Sequence, residues 1–218
     1  TAQRDCIYSF DDFYTYFLGV LMENIYPNFS RFESREQKER QLYQQGITLW
    51  FTGLSGAGKS VIAAALERLL TANGYFSTVL DGDNLRDGIN SDLGFSATDR
   101  AENIRRTAEI CRLMNNCAII VIATLVSPTE ELRELARRII GRQRMVTVYI
   151  STPLTECERR DSKGLYARAR RGEIGDFTGI SAPFEAPQKP EVEIDTTGVS
   201  PEKCAEIIFS TIKEIYGL

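Results

Sequence analysis

The chain has 218 residues, a net charge of −4 and 43% hydrophobic residues, which is typical of a globular domain with at most an appendage. It contains no histidine, and this excludes Ser-His-Asp triads, Cys-His pairs and histidine-based zinc sites. The acidic balance argues against a general nucleic-acid surface, and the longest apolar run, residues 117–126, has about half the length of a membrane-spanning helix. The five cysteines include no C-x-x-C pair, so we expect a reducing compartment, the cytoplasm, and neither nucleic acid nor membrane as a partner.

Residues 1–45 differ in character from the rest of the chain. Apolar residues recur at three-and-four spacing from Phe10 to Ile25, which predicts a helix over residues 10–26 that Pro27 ends. The polar stretch 34–45 predicts a second helix closed by Gly46. We interpret residues 1–45 as a helical N-terminal extension, which is either an arm that packs on a domain or a linker to another catalytic domain.

From residue 46 to residue 218 the pattern indicates one α/β domain. Short β-branched runs alternate with helical stretches, which is typical of a doubly wound parallel sheet with helices on both faces. The segment 161–190 has little apolar periodicity, and we expect a long surface loop that acts as a lid. The predicted strands are residues 47–52, 77–80, 117–126, 145–150 and 192–194, and the predicted helices are residues 60–73, 100–116, 129–140, 154–160 and 201–216.

The first loop of this domain carries the strongest motif. Residues 53–60, GLSGAGKS, fit G-x-x-x-x-G-K-[ST] and lie between a predicted strand and a predicted helix, as a phosphate-binding loop requires. Backbone N–H groups and the helix N-terminus would hold phosphate oxygens, Lys59 would bridge the β- and γ-phosphates, and the Ser60 hydroxyl would bind Mg²⁺. The predicted nucleotide-binding residues are Gly53, Leu54, Ser55, Gly56, Ala57, Gly58, Lys59 and Ser60.

The class of nucleotide-binding protein follows from what surrounds the loop. The chain has no N-K-x-D guanine motif, which argues against a GTPase. It is short for a motor or transport ATPase. A small-molecule kinase of the P-loop type fits better.

Two further groups of polar residues follow in the chain. Asp81 and Asp83 end the second predicted strand, so they would lie beside the phosphate loop; one could hold the Mg²⁺ hydration shell and the other could position an acceptor hydroxyl. An ordinary turn is the alternative, since Asp and Gly are common in turns. The segment 93–106 opens a helix with arginine and asparagine, which suits an anionic substrate, although a solvated helix face has the same spacing.

The order of these motifs resembles the adenylylsulfate (APS) kinase family. The resemblance extends over about residues 46–216 and includes GLSGAGKS, LDGDNLR, LGFSATDRAENIRR, then Asp161-x-Lys163-Gly164-Leu165-Tyr166 and Phe177-Thr178-Gly179-Ile180. It implies that ATP phosphorylates the 3′-hydroxyl of adenosine 5′-phosphosulfate (APS), giving PAPS and ADP, with Mg²⁺ required. It also implies a homodimer and an ATP sulfurylase that is fused or associated.

The resemblance also assigns roles by matching position. It implies that the phosphosulfate and ribose of APS are bound by Asp83, Arg86, Arg100 and Asn103. Its adenine would stack on Phe95 and Phe177, and the lid would contribute Lys163 and Arg170. The predicted catalytic residues are Lys59, Asp81, Asp83 and Ser127, and the predicted metal ligands are Ser60 and Asp81.

One segment departs from the family pattern. The family has Phe or Tyr after Ile-Ser-Pro, whereas Val126-Ser127-Pro128 is followed here by Thr129, with Arg133 at the expected distance. Ser127 matches a serine for which a phosphoenzyme has been proposed; we expect direct in-line transfer instead, because ATP and the acceptor can be held together. Two alternatives stay open: a kinase for another nucleotide-linked acceptor, and a nucleotide-binding module that serves a fused or partner enzyme.

Overall fold

The structure, a computed structural model, describes residue 28 and residues 31–217. The helix predicted over residues 10–26 lies outside the described residues. Residues Arg35–Leu218 form one compact unit, which includes a helix that the sequence analysis placed in the N-terminal extension. The strands are β1 Thr48–Thr52, β2 Ser77–Asp81, β3 Ile120–Thr124, β4 Met145–Ile150 and β5 Val192–Ile194. The helices of the described residues are α1 Arg35–Leu42, α2 Lys59–Ala72, α3 Gly82–Asp87, α4 Ala97–Asn115, α5 Glu130–Ile140, α6 Leu154–Arg160, α7 Leu165–Arg170 and α8 Pro201–Tyr216, with a 3₁₀ turn at Arg142–Arg144.

The five strands form one parallel sheet in the order β2-β3-β1-β4-β5. Its two faces are both covered, as the alternation along the central strand β1 shows. Leu49 and Phe51 contribute to a core that includes residues of α2 and α8, whereas Trp50 between them contributes to a second core with residues of α4 and α5. The prediction of a parallel sheet with helices on both faces is therefore confirmed.

Several element ends differ from the sequence prediction, for local reasons. Of the strand predicted over residues 117–126, only β3 (Ile120–Thr124) is a strand in the structure. It starts later than predicted because Ala118 has a φ of 61° and its N–H donates to the carbonyl of Asn115, in a turn after α4. Helix α1 ends at Leu42, ahead of the predicted Gly46. Gly46 is required for another reason, since a Cβ there would lie 2.1 Å from the carbonyl oxygen of Asn115. The short helices α3 and α7 were not predicted.

A buried glutamine connects the segment after α1 to the sheet. Gln44 is 5% exposed, and its side-chain amide donates to the carbonyls of Phe76 and Ala118. Its Oε1 atom accepts from the N–H of Phe76 at 2.8 Å. Gln44 thus bonds three backbone groups just ahead of β2 and β3, of which the Phe76 carbonyl also accepts from the N–H of Ile120 at 3.2 Å.

The sheet order positions the loops that carry the motifs. The strand after β1 in sequence, β2, lies on one side of β1, and β4 and β5 lie on the other. In such sheets ligands bind outside the carboxyl ends of the strands, near the point where the order reverses. The loop 53–60 and Ser127 follow the carboxyl ends of β1 and β3, and Asp81 is the last residue of β2, so the fold gathers them at one edge. In residues 31–217 no helix has an apolar stretch that would cross a bilayer.

Candidate active site

A cavity of about 960 Å³ opens at the carboxyl edge of the sheet. Its wall combines the phosphate loop with turns after β2 and β3 and with the segment 160–166. Most of the residues predicted from the sequence therefore share one site. Those that line the cavity are Ser55, Gly56, Gly58, Lys59, Ser60, Asp81, Asp83, Arg86, Phe95, Arg100, Asn103, Ser127 and Lys163.

The phosphate loop leads directly into α2, which begins at Lys59 and turns its N-terminus to the cavity. Gly58, the residue before the helix, has a φ of 108°, a conformation that residues with a side chain rarely adopt. The Lys59 ammonium donates to the carbonyls of Gly53 and Leu54 at 2.8 and 2.7 Å. Burial lowers the pKa of Lys59 to about 8, although nearby Cys157 and acidic groups favour its charge.

Asp81 receives hydrogen bonds from both sides of the cavity floor. The hydroxyls of Ser60 and Thr124 donate to its Oδ2 atom at 2.6 and 2.7 Å, and the N–H of Asp83 donates to Oδ1 at 3.0 Å. Burial acts to raise the pKa of Asp81, but these hydrogen bonds outweigh it, and the pKa lies below its ordinary value. Asp81 is thus a carboxylate anion within contact distance of the phosphate-loop serine.

The same oxygen atoms fit a hard divalent cation. Ser60, Asp81 and Thr124 offer two hydroxyls and one carboxylate within a few ångströms, and oxygen is the ligand atom that Mg²⁺ prefers. No group of three or more His, Cys, Asp or Glu side chains gathers around one point in residues 31–217. An ion here would complete its shell with water and phosphate oxygens, as Mg²⁺ does when it arrives with a nucleotide. Thr124 was missed because it reads as an ordinary strand end.

The opposite wall carries an exposed aromatic ring beside two guanidinium groups. Phe95 is 61% exposed, and the Cζ atoms of Arg86 and Arg100 lie 4.4 and 5.7 Å from its ring centroid. Arg86 donates to the carbonyls of Leu93 and Gly94. Arg100 donates to the carbonyl of Phe95 at 3.0 Å and reaches across to the segment 161–190. A planar anionic ligand could stack on the Phe95 ring and pair with the two guanidinium groups.

Contacts between this wall and the segment 161–190 involve charged groups. Lys163 forms an ion pair with Asp83, and Arg100 donates to the carbonyl of Asp176 at 2.7 Å. Asn103 is 5% exposed at the cavity wall, and its Oδ1 atom accepts from the amide of Asn90 at 3.0 Å. The segment predicted as a lid is therefore joined to the wall that carries the arginines.

Ser127 lies at the cavity edge but is mostly enclosed. Ser127 is 2% exposed, and the Trp50 indole N–H donates to its Oγ atom at 3.1 Å. Its carbonyl accepts from the buried Arg133 guanidinium at 2.9 Å. Thr129 caps the N-terminus of α5, where its hydroxyl accepts from the N–H of Leu132 at 3.4 Å.

Five predicted residues do not line this cavity: Gly53, Leu54 and Ala57 of the phosphate loop, and Arg170 and Phe177. Arg170 pairs with Glu158 at 2.7 Å, and the Phe177 ring packs edge-on against Tyr166 with the centroids 5.0 Å apart. Their predicted roles toward APS stay predictions. Sequence reasoning also missed a group beside the loop, in which Thr152, Arg160 and Thr196 donate to the carbonyl of Ala57; Arg160 and Thr196 also line the cavity.

The fold and the site define a P-loop kinase for a small molecule. A sequence model of the family described as adenylylsulphate kinase matches residues 45–195. An adenylyl-sulfate kinase of Phocaeicola vulgatus is 56% identical over 195 residues, which are 89% of this chain and 96% of the relative. The chain belongs to the adenylylsulfate kinase family.

Solved structures and longer relatives agree with this assignment. The structure of the Mycobacterium tuberculosis APS kinase CysC in complex with AMPPNP and APS has a TM-score of 0.75 and 45% identity, and the match covers 78% of this chain and 99% of that one. NodQ of Rhizobium sp., described as a bifunctional enzyme, is 48% identical over 79% of this chain but only 27% of its own length. The same domain thus occurs both alone and within a larger chain.

Proposed function

We propose that this protein transfers the terminal phosphoryl group of ATP to the 3′-hydroxyl of APS, giving PAPS and ADP. The observation that carries the proposal is a single cavity that joins a phosphate-binding loop to the wall with Phe95, Arg86 and Arg100. Membership of the adenylylsulfate kinase family supports the choice of acceptor. The relative from M. tuberculosis, solved with AMPPNP and APS, supports ATP as the phosphoryl donor.

On the donor side, the loop and the start of α2 would bind the triphosphate. Lys59 would exchange its carbonyl partners for phosphate oxygens and stabilise the charge that develops on the transferred group. Ser60 and Asp81 would hold Mg²⁺, directly or through its water molecules. When bound, the ion neutralises phosphate charge and orients the β- and γ-phosphates.

On the acceptor side, Arg86, Arg100 and Asn103 would bind the anionic and ribose groups of APS, and Phe95 would stack on the adenine. Asp83 would orient the 3′-hydroxyl. In the structure Asp83 pairs with Lys163, so substrate entry would separate the two and leave Lys163 on the segment that covers the nucleotides. That closure would exclude water, which otherwise competes as the acceptor.

The position of Ser127 supports direct in-line transfer. A covalent route would need the Ser127 hydroxyl to attack ATP, yet this oxygen is enclosed and already accepts a hydrogen bond from Trp50. A Ser127→Ala variant would keep most of its turnover if transfer is direct. Loss of turnover to the level of Lys59→Ala, together with a phosphorylated wild-type intermediate on a quenched gel, would contradict direct transfer.

A second acceptor deserves a test because of one observation. The family aromatic after Ser-Pro is replaced by Thr129, which caps α5. The ring of Phe184 lies near this turn, with its centroid 6.0 Å from the Arg133 guanidinium, but it comes from another segment of the chain. The loss of the aromatic favours a wider acceptor range, which includes CDP-linked groups.

The decisive experiment is incubation with ATP, Mg²⁺ and a panel of acceptors. Chromatography should detect PAPS when APS is the acceptor, and little phosphorylated product when other nucleotides are the acceptor. Product only with a CDP-linked acceptor would move the assignment to a related kinase. Absence of turnover with every acceptor, despite measurable ATP binding, would favour a nucleotide-binding module.

Three finer points belong to the same proposal. Mg²⁺ dependence is checked by adding a chelator and restoring the metal. A homodimer, which the family resemblance implies, is checked by light scattering. A fused second activity is supported by the bifunctional relative NodQ, and the family resemblance implies that this partner is an ATP sulfurylase. A cytoplasmic location would agree with this role.

A further inference from the structure

One backbone carbonyl of the phosphate loop is surrounded by side-chain donors. The carbonyl oxygen of Ala57 lies 3.0 Å from Thr196 Oγ1, 3.1 Å from Thr152 Oγ1 and 3.3 Å from Arg160 Nη1. Ala57 is fully buried, and both threonines are less than a tenth exposed. A carbonyl oxygen has two lone pairs, so these donors satisfy it completely and resist any rotation of the peptide.

The two threonines are themselves anchored in the sheet. Thr152 follows β4 and Thr196 follows β5, which is paired with β4. Their hydroxyl oxygens lie 2.7 Å apart, and the N–H of Thr196 donates to Thr152 Oγ1 at 3.2 Å.

The Thr152 hydroxyl has one proton to share between the Ala57 carbonyl and Thr196. Arg160 donates to Thr196 Oγ1, which leaves the Thr196 proton for Ala57. The position of the carbonyl is therefore set by strand ends and not by the loop itself.

The direction of this carbonyl decides the direction of the next N–H. In a trans peptide the C=O and N–H groups point to opposite sides, and no peptide bond in the described residues is cis. The Ala57 carbonyl points to the threonines, so the Gly58 N–H points away from them. Gly58 lines the cavity, and its N–H has no acceptor among residues 31–217.

We propose that Thr152 and Thr196 are positioning residues for ATP, because they hold the Ala57–Gly58 peptide with its N–H toward the phosphate site. The proposal rests on the proposed function, since the cavity must bind the phosphates of ATP. Glycine permits both orientations of the peptide that precedes it, so the loop sequence does not fix the orientation. A flipped peptide would turn a carbonyl oxygen toward the phosphates, where it repels them.

The test replaces each hydroxyl by a methyl group. Thr152→Val is the main variant, because Thr152 does not line the cavity, whereas Thr196 does. Thr152→Ser restores the hydroxyl. Thr48→Val is the matched control, since Thr48 is a buried strand threonine whose hydroxyl donates to Asn115 at 2.8 Å, away from the loop.

We expect Thr152→Val to weaken binding of a non-hydrolysable ATP analogue about tenfold, the loss typical of one buried hydrogen bond and its reorganisation. The KM for APS should stay at the wild-type value. Thr152→Ser should restore ATP affinity, and Thr48→Val should lose stability without losing ATP affinity. If Thr152→Val binds the analogue as tightly as Thr48→Val does, the proposal is wrong.

A measurement on the wild-type protein decides the case if the valine variants do not fold. In protein labelled with ¹⁵N-glycine, the Gly58 amide should exchange rapidly in the free state and become protected when the analogue binds. A Gly58 amide that is protected in the free state, or that does not respond to the analogue, would overturn the proposal. Wild-type protein that binds the analogue with this response but makes no PAPS would instead contradict the proposed function alone.

Discussion

The two walls of the cavity are held in place by different interactions. The phosphate loop is fixed by buried contacts: Lys59 bonds to loop carbonyls, and Ala57 is fully buried against strand ends. The acceptor wall depends on exposed groups. Phe95 is 61% exposed, and the paired side chains of Asp83 and Lys163 are 71% and 62% exposed.

This difference indicates how the two substrates are recognised. Buried hydrogen bonds hold the loop in a form that accepts phosphate with little rearrangement, which is the arrangement that stabilises transition-state charge best. Exposed ion pairs contribute at most about 1 kcal/mol, so an incoming anion can replace them at low cost. We expect the ATP site to be preorganised and the APS site to form around its ligand.

The largest effect should come from the loop lysine. Lys59→Ala removes the cation that faces the transferred phosphoryl group, and we expect kcat to fall about 10³-fold. The rate of PAPS formation measures it. Lys203→Ala is the control, since Lys203 lies on α8 and pairs with Glu206 outside the cavity. Near-normal turnover of Lys59→Ala would mean that the phosphate loop does not bind the phosphoryl donor.

The next effect separates the two walls. Arg100→Ala should raise the KM for APS about 10- to 100-fold, the loss of one charge-assisted contact, and should leave the KM for ATP nearly unchanged. Arg112→Ala is the matched control on the same helix, because Arg112 pairs with Glu109 away from the cavity. Equal losses for both substrates would mean that the acceptor wall has been assigned wrongly.

A smaller effect concerns pH and the loop. The pKa of Lys59 is lowered to about 8 by burial, and bound phosphate should raise it again. ATP binding should therefore take up a proton at pH values above 8, and ATP affinity should decrease as the pH rises through 8. Calorimetry at pH 8.5 in two buffers of different ionisation enthalpy measures this uptake. Lys59→Met should abolish it; uptake that persists in this variant would assign the proton to another group.

The smallest effect concerns the departure from the family pattern. Thr129→Ala removes the N-cap of α5 and should lower the free energy of unfolding by about 0.5–1 kcal/mol, while Thr129→Ser should not. Urea denaturation measures the difference. A change in acceptor preference in Thr129→Ala, with unchanged stability, would show that Thr129 acts on the substrate and not on the helix.

The sequence was informative wherever the chemistry is local. The loop 53–60 follows β1 and leads into α2 as its motif predicts, and short β-branched runs separated by helical stretches were enough to predict the parallel sheet. It was less informative where distant segments meet. Nothing near Thr152 or Arg160 in sequence indicates that both contact Ala57, because these segments meet only after β1 and β4 pair. Helix α3 was missed because its six residues begin with Gly-Asp, which also suits a turn.

Gln44 has a practical consequence for anyone who shortens this protein. A fragment that starts at residue 46, where the family resemblance begins, would lack this side chain and its three hydrogen bonds to the backbone groups of Phe76 and Ala118. Such a fragment should melt at a lower temperature, because it loses these buried hydrogen bonds. A fragment that starts at Arg35 keeps the glutamine and is the better choice for crystallisation and for screening inhibitors.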